Sequence, residues 1–277
     1  MFWNVLLLET DKLFKRALFW IELAVLVTII IVADVVQYLI STSIPSAAGR
    51  QLTTLFTWPT GLENAAQFAD AHILGGLLLI ILLSMLTAQE YSWRTYHLWL
   101  GRGISRSSLL GAKCLVALIA TFLVVLTSVI VSSAVTGVLT LVVKGSLPFQ
   151  QINVAHFLSN ISIVYYSLLP YVALAFLLSI ISRSVILAIS VGLVFLLFIE
   201  GTIYTIFSLN HGIIGSMVQY LPIGLETALQ ATKQTSTSSI LSVSSPPLLV
   251  AVLCIALYVA VFVGLGFWRF FGQNFTD

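Results

Sequence analysis

Long apolar runs recur along the chain, separated by short stretches rich in polar residues, proline or glycine. They cover residues 18–39, 72–87, 109–143, 161–181, 185–207 and 248–268. A helix needs about 20 apolar residues to cross ~30 Å of hydrocarbon. A β-barrel would instead show short alternating segments, which these runs do not. An open sheet edge in lipid would leave backbone groups unpaired, so helices are the expected form. The pattern predicts an all-α polytopic membrane protein with six transmembrane helices. The run at 109–143 exceeds one crossing and must tilt, protrude or break near Ser132, Ser133 or Gly137.

The connections carry their own signals. Residues 3–16 are mixed: Leu6, Leu13 and Phe14 share a helical side with Ala17, while Glu9, Asp11, Lys12, Lys15 and Arg16 form the polar remainder. Such a helix suits the membrane interface. Residues 40–70 form a loop whose AAQFADAH end is a candidate short helix, and Arg183 marks a tight turn. The last long loop, 210–247, holds YLPIGLETALQA, predicted as a short surface helix beginning near Pro222. A Ser/Thr-rich piece follows it, expected to be mobile. The whole of 1–277 is one transmembrane domain, with an interfacial helix at 3–16, a cytoplasmic segment at 89–106 and an extracellular loop at 210–247.

The basic residues set an orientation. With the N-terminus inside, Lys12, Lys15, Arg16, Arg94, Arg102, Arg106, Lys113, Arg183 and Arg269 fall inside, against Arg50, Lys144 and Lys233 outside. Both termini are therefore expected in the cytoplasm.

Composition agrees with lipid as the solvent. The chain is 59% hydrophobic and 8% charged, whereas a soluble domain carries about 25% charged residues. A net charge of +2 gives no basis for nucleic-acid binding. Cys114 and Cys254 fall in apolar runs and suggest neither a disulfide framework nor a metal. Histidines 72, 97, 156 and 211 are dispersed, so no metal site is expected. The N-terminal LLL run meets Glu9 and Asp11 without a small-residue cleavage pattern, so no cleaved signal peptide is expected.

The chain is organised around residues 89–113, QEYSWRTYHLWLGRGISRSSLLGAK, the one long basic interruption in its first half. Glu90 and Arg94 stand four apart, acid first, a pair worth about 0.2–0.5 kcal/mol on a helix in water. Tyr91, Trp93, Tyr96, Leu98 and Trp99 make the segment aromatic on more than one side, fit for the headgroup level or for a groove in another protein. Gly101 and Gly103 bend the chain, and Ser105 or Ser107 can cap the next helix. This stretch, in particular E-Y-S-W-R-T at 90–95, L-G-R-G-I-S-R at 100–106 and G-A-K at 111–113, resembles the signature between the second and third spans of ABC-2 type permeases. These are the membrane subunits of ATP-binding-cassette exporters. The six-span layout, the leading interfacial segment and the YLP stretch are similar to that family too.

The resemblance implies that residues 3–16 are an elbow helix. It also implies a coupling helix that docks on an ATPase subunit, falling here on Glu90, Trp93, Arg94 and Thr95 with Arg102 and Arg106. It further implies two cytoplasmic nucleotide-binding subunits, a second permease copy or homologous permease, and ATP with Mg on the partner. No cofactor is expected on this chain. GRGISRSS lacks GKS or GKT and does not lie between a strand and a helix, so it is no phosphate-binding loop. Any ATP hydrolysis then belongs to a partner, and the chain is not an enzyme by itself. The expected location is a bacterial or archaeal plasma membrane.

Acids inside the spans are costly in lipid and face protein or water. Asp34 and Glu200 are candidates for a translocation path or for polar contacts within the bundle, and Glu22 is expected to pair with Lys15 or Arg16. The competing reading is an ion- or proton-coupled secondary transporter using Asp34 or Glu200. A membrane-embedded enzyme is disfavoured, since no catalytic cluster stands out.

Overall fold

The computed structural model describes residues 2–43, 47–208, 213–231 and 246–273, and they are helical throughout, with no strand among them. Six helices are long and apolar enough to cross a membrane. They are α2 (Ala17–Ser43), α5 (Gly75–Ser92), α7 (Arg106–Lys144), α8 (Val154–Ser182), the run Val185–Phe207, and α13 (Leu248–Phe271). The protein is a multi-pass membrane protein by this measure. Ahead of the first span, α1 (Phe2–Lys15) packs chiefly on α7.

The long third run neither breaks nor kinks into two helices. Arg106–Lys144 is one α-helix of 39 residues, about 58 Å long, so it outruns the ~30 Å hydrocarbon layer. Serines and threonines fit within it because their hydroxyls donate back to carbonyls a turn earlier: Thr121 to Ala117, Thr136 to Ser132 and Thr140 to Thr136. The chain then reverses through Gly145 at φ 71. Arg183 closes α8 at φ 52, which makes the tight turn read from the sequence. The Val185–Phe207 run comprises α9 (Val185–Val194), a π-helical turn at Phe195–Glu200 and α10 (Gly201–Ser208).

The loop expected at 40–70 is mostly helical. It holds α3 (Ala47–Phe56), α4 (Thr60–Glu63) and a single 3₁₀ turn at Gln67–Ala69. Beyond the fifth span lie α11 (Ile213–Val218) and α12 (Pro222–Ala231), the latter at the predicted place. The Ser/Thr-rich stretch lies largely outside the described residues. A last short helix, α6 (Thr95–Gly101), joins α5 to α7.

Helices α5 and α8 form the centre, with most of their apolar span buried, while α2, α9–α10 and α13 leave most of theirs bare. The main core gathers Leu79, Ile80, Leu82, Ala120, Val124, Leu168, Tyr171 and Ala175 from α5, α7 and α8. Successive spans alternate in direction. At one end, which we call the base, α1 meets the end of α5, the start of α7 and the ends of α8 and α13. There Arg106 Nη1 donates to Phe271 O at 2.6 Å, and Gln273 Nε2 donates to Ile180 O at 3.2 Å. At the opposite end, Trp58 Nε1 donates to Thr136 Oγ1 at 3.1 Å and Asn160 Nδ2 donates to Glu63 O at 2.8 Å.

Close approach governs the start of α5. A Cβ on Gly75 would lie 1.8 Å from the Ala69 carbonyl oxygen. Gly75→Ala must therefore shift backbone, and overpacking of this kind costs about 1–3 kcal/mol. We expect a lower thermal unfolding midpoint in detergent. An unchanged midpoint would show that this contact is not tight.

Candidate functional site

The base of the bundle is shaped by three left-handed residues, Arg94 and Gly103 around α6 and Arg183 at the end of α8. α5 stops at Ser92, and Arg94 takes φ 54 and ψ 23 before α6 begins at Thr95. A non-glycine residue there costs on the order of 1–2 kcal/mol, which neighbouring contacts must offset. Thr95 Oγ1 donates to Glu90 O at 3.3 Å, and Tyr96 Oη donates to Thr87 O at 3.1 Å. Tyr96 is buried between Tyr91 and Phe270, with ring centroids 4.5 and 5.3 Å away. Gly103, at φ 79, supplies the second reversal, whereas Gly101 keeps helical geometry. Ser105 caps α7 by accepting from Ser108 N at 3.3 Å.

This bend undoes the expected Glu90–Arg94 pair. The i,i+4 spacing works only on a continuous helix, and the left-handed turn at Arg94 breaks it. Glu90 instead points into protein. Its Oε1 lies 2.9 Å from Lys113 Nζ of α7 and 2.9 Å from Lys12 Nζ of α1. Glu9 completes a closed ring: Oε2 is 3.0 Å from Lys113 Nζ, and Oε1 binds Lys12. The side chains of Glu9, Glu90 and Lys113 are 5%, 3% and 4% exposed, against 30% for Lys12. Two cations and two carboxylates thus alternate, three of them buried and Lys12 reaching the surface. Burial pushes the Glu9 carboxyl up, but Lys113 and Lys12 outweigh it and hold it below its ordinary value.

Aromatic rings close the ring of charges from outside. Lys12 Nζ lies 4.8 Å from the Trp99 centroid, and Lys113 Nζ 5.7 Å from that of Tyr96. Arg16 stacks 5.7 Å over Trp93 while Nη1 donates to Gln89 Oε1 at 2.8 Å and to Met85 O at 3.1 Å. Burial lowers the Arg16 guanidinium from its ordinary value, opposed by Glu90 and Glu9. An open cavity of about 410 Å³ sits here, lined by Lys12, Arg16, Glu90, Trp93, Thr95 and Trp99 among others.

Of the residues singled out from sequence, Glu90, Trp93 and Thr95 meet at this cavity. Arg94 lies exposed on the turn, and Arg102 stands 6.0 Å over Trp99. Arg106 is tied to the end of α13. Sequence reading placed Glu9 in a polar remainder and Phe14 on the packed side. In the fold Val5, Glu9 and Leu13 form the buried stripe, while Phe14 is exposed. Glu22 does not pair with Lys15 or Arg16: both its oxygens are buried without a hydrogen-bond partner among the described residues. Arg16 reaches α5 instead, and Lys15 reaches Asp11.

Asp34 and Glu200 are not brought together. Asp34 is buried on α2, with Oδ2 unpartnered among the described residues. Glu200 belongs to a second polar group at the opposite end, which sequence reading missed. Its Oε1 accepts from Ile223 N at the start of α12 at 2.6 Å. Its Oε2 lies 3.9 Å from His72 Nε2.

An all-helical body with six apolar spans and a charged ring at its base defines a multi-pass membrane protein. The chain belongs to the family described as "Protein of unknown function (DUF2705)", whose profile matches residues 30–273. That match takes in Glu90, Lys113 and the opposite polar group, and begins after Glu9 and Lys12. A search of curated proteins finds no match.

Removing one member of the ring strands a buried opposite charge, a loss of about 3–5 kcal/mol. Glu90→Ala is expected to unfold at a clearly lower temperature, and the paired change Glu90→Leu with Lys113→Met to recover most of that loss. A double variant as unstable as the single one would contradict the ring. The lowered Glu9 value fixes a sign. Its stabilisation is present above the ordinary value of 4.5 and is lost as pH falls through the lower folded value. Protease access to α1 should therefore increase only in acid below about pH 4.5.

Proposed function

We propose that the chain is the permease subunit of an ATP-driven exporter of the ABC-2 type, carrying substrate across a bacterial or archaeal plasma membrane. In this reading α1 is the interfacial elbow helix and both termini are cytoplasmic. The base of the bundle faces separate nucleotide-binding subunits that hold ATP and Mg. A second copy, or a homologous permease, completes the pathway. The chain contributes no catalytic residue of its own.

The observation that carries this reading is the ring of Glu9, Lys12, Glu90 and Lys113 directly behind α6. A coupling element needs an adhesive outer face and a stiff inner attachment. Trp93 and Leu98 are 60% and 62% exposed and supply the first. Tyr96 and the charged ring supply the second, tying the α5–α6 corner to α1 and α7 at once. A push on α6 would reach three helices through groups that cannot separate without stranding a buried charge. The resemblance of residues 90–113 to the permease signature supports the same assignment.

A second reading, coupling to an ion or proton gradient through Asp34 and Glu200, draws support from their buried carboxylate oxygens without partners. It requires transport without any ATPase.

The joint change Trp93→Ala and Arg94→Ala lies on the exposed corner and should leave thermal stability within about 1 kcal/mol. Truncating an exposed anchor of an interface weakens binding by about tenfold or more. We expect the purified ATPase partner to bind the variant at least about tenfold more weakly, with loss of the ATPase stimulation that the intact permease gives. Unchanged stimulation, or labelling of a cysteine placed in α6 from outside the cell, would overturn the reading.

A further inference from the structure

The polar group at the opposite end has a composition unlike the base: it is acidic and contains no lysine or arginine partner among the described residues. Asp70 and His72 come from the segment before α5, Tyr171 from α8, Glu200 from the π turn, and Glu226 and Gln230 from α12. Gln230 Nε2 donates to Asp70 Oδ2 at 2.8 Å and to Glu226 Oε1 at 3.2 Å, which draws the two carboxyls together. Asp70 and Glu226 thus meet at one amide nitrogen. Two carboxylates held at one donor repel each other, and a proton on either relieves that repulsion.

A second feature points into the same place. The Glu200 side chain is wholly buried, yet its Oε2 has no hydrogen-bond partner among the described residues and faces His72 Nε2 at 3.9 Å. Glu226 Oε2 is likewise unpartnered and faces the same nitrogen at 4.0 Å. His72 Nε2 is in turn 2.7 Å from Tyr171 Oη, whose hydroxyl lies beside the Glu200 carboxyl. His72 is 22% exposed and forms the rim of the group. Of the other titratable side chains nearby, Tyr258 of α13 lies in the field of Glu200, and Glu63 and His156 line a small cavity with Gln230. Three carboxyls without a cation cannot all stay ionised in such a place.

We propose that Asp70, Glu226, Glu200 and His72 form a proton-binding site, and that the bound proton clasps α12 to the rest of the bundle. With the proton present, Glu226 donates to Asp70, and Gln230 braces both. Its loss through His72 to water leaves two anions in contact, and their repulsion pushes α12 away from the segment before α5. The remaining holds on α12 are its apolar seat, Leu225, Ala228 and Leu229 on Ala251 and Ile255, the Ile223 N–H donated to Glu200 Oε1, and the Thr227 hydroxyl against Tyr204 Oη. The sign follows from the environment. Burial first, then Asp70 and Glu200, raise the Glu226 carboxyl well above its ordinary value of 4.5. The clasp is therefore complete below that ordinary value and is lost as pH rises through the raised one. Burial meanwhile lowers His72, opposed by Asp70, so the imidazole supplies no compensating charge as the acids ionise.

The test is hydrogen exchange of the amides of residues 222–231 in the full chain, held in phosphatidylcholine nanodiscs and corrected for intrinsic exchange. Protection should fall at least about tenfold between about pH 6 and about pH 9. Glu226→Gln, a neutral isostere that still donates to Asp70, should hold that protection flat across the range. Wild-type protection that does not change with pH would overturn the proposal, as would a Glu226→Gln profile that falls like the wild type. Full recovery of wild-type protection at about pH 9 on adding sodium or calcium would also overturn it, since the site would then take a metal cation. The measurement needs no ATPase partner, so its outcome is separate from that of the exporter reading.

Discussion

A charge in the interior of a lipid-solvated bundle cannot retreat to water, so it must be met by an opposite charge, a hydrogen bond or a proton. Lys113 shows what that requirement does to the architecture. It sits two turns into α7 with its side chain 4% exposed, and both of its acidic partners come from other helices. Glu90 reaches it only because α5 continues to Ser92, and Glu9 only because α1 lies flat against α7. The position of the first helix, the end of the second span and the start of the third are thus fixed together by one ammonium group. Such a ring gains little over an apolar core of the same shape, so its value lies in alignment: no other register of these three helices pairs all four charges.

The two ends of the bundle meet the same requirement differently. At the base, cations and anions alternate and are covered by Trp99 and Tyr96. At the opposite end, Asp70, Glu200 and Glu226 meet the Gln230 amide, the His72 imidazole, the Tyr171 hydroxyl and the backbone N–H groups of Ala71 and Ile223. The first arrangement gives every carboxylate an ammonium within 3 Å. The second has only weaker donors and no lysine or arginine among the described residues.

Much of this was legible in the sequence because lipid reduces the problem to length and polarity. The six spans, the short helix from Pro222 and the turn at Arg183 all follow from runs, breaks and proline, while the helix ends moved by up to seven residues, the most at the start of α8. What escaped was three-dimensional pairing. Glu90 and Arg94 have the spacing of a helical pair, and nothing local announces that Arg94 turns left-handed; that turn is held by Tyr96, whose ring packs on Phe270 from the far end of the chain. Glu9 reads as one polar residue among five in 3–16, and only the every-fourth-residue run Val5, Glu9, Leu13 hints that it faces inward. Asp70 and His72 stand two apart but far in sequence from Glu226, and Glu200 turns toward them from a π turn that no composition signal marks. α3 was read as loop because its short amphipathic pattern lies among Pro45, Arg50 and Pro59.

The length of α7 gives the molecule a mechanical property of its own. Lys113 is gripped near one end of an unbroken helix, and Thr136 and Thr140 bind Trp58 near the other. The distance between Lys113 and Thr140 along the axis is about 40 Å. A rod of that length, pivoted at Lys113 and tilted by about 5°, sweeps its far threonines through about 3.5 Å. That displacement exceeds the length of the hydrogen bonds that hold Trp58. Small rotations at the base are thereby amplified into rupture or re-seating of contacts on the other side of the membrane, with no intermediate joint to absorb them.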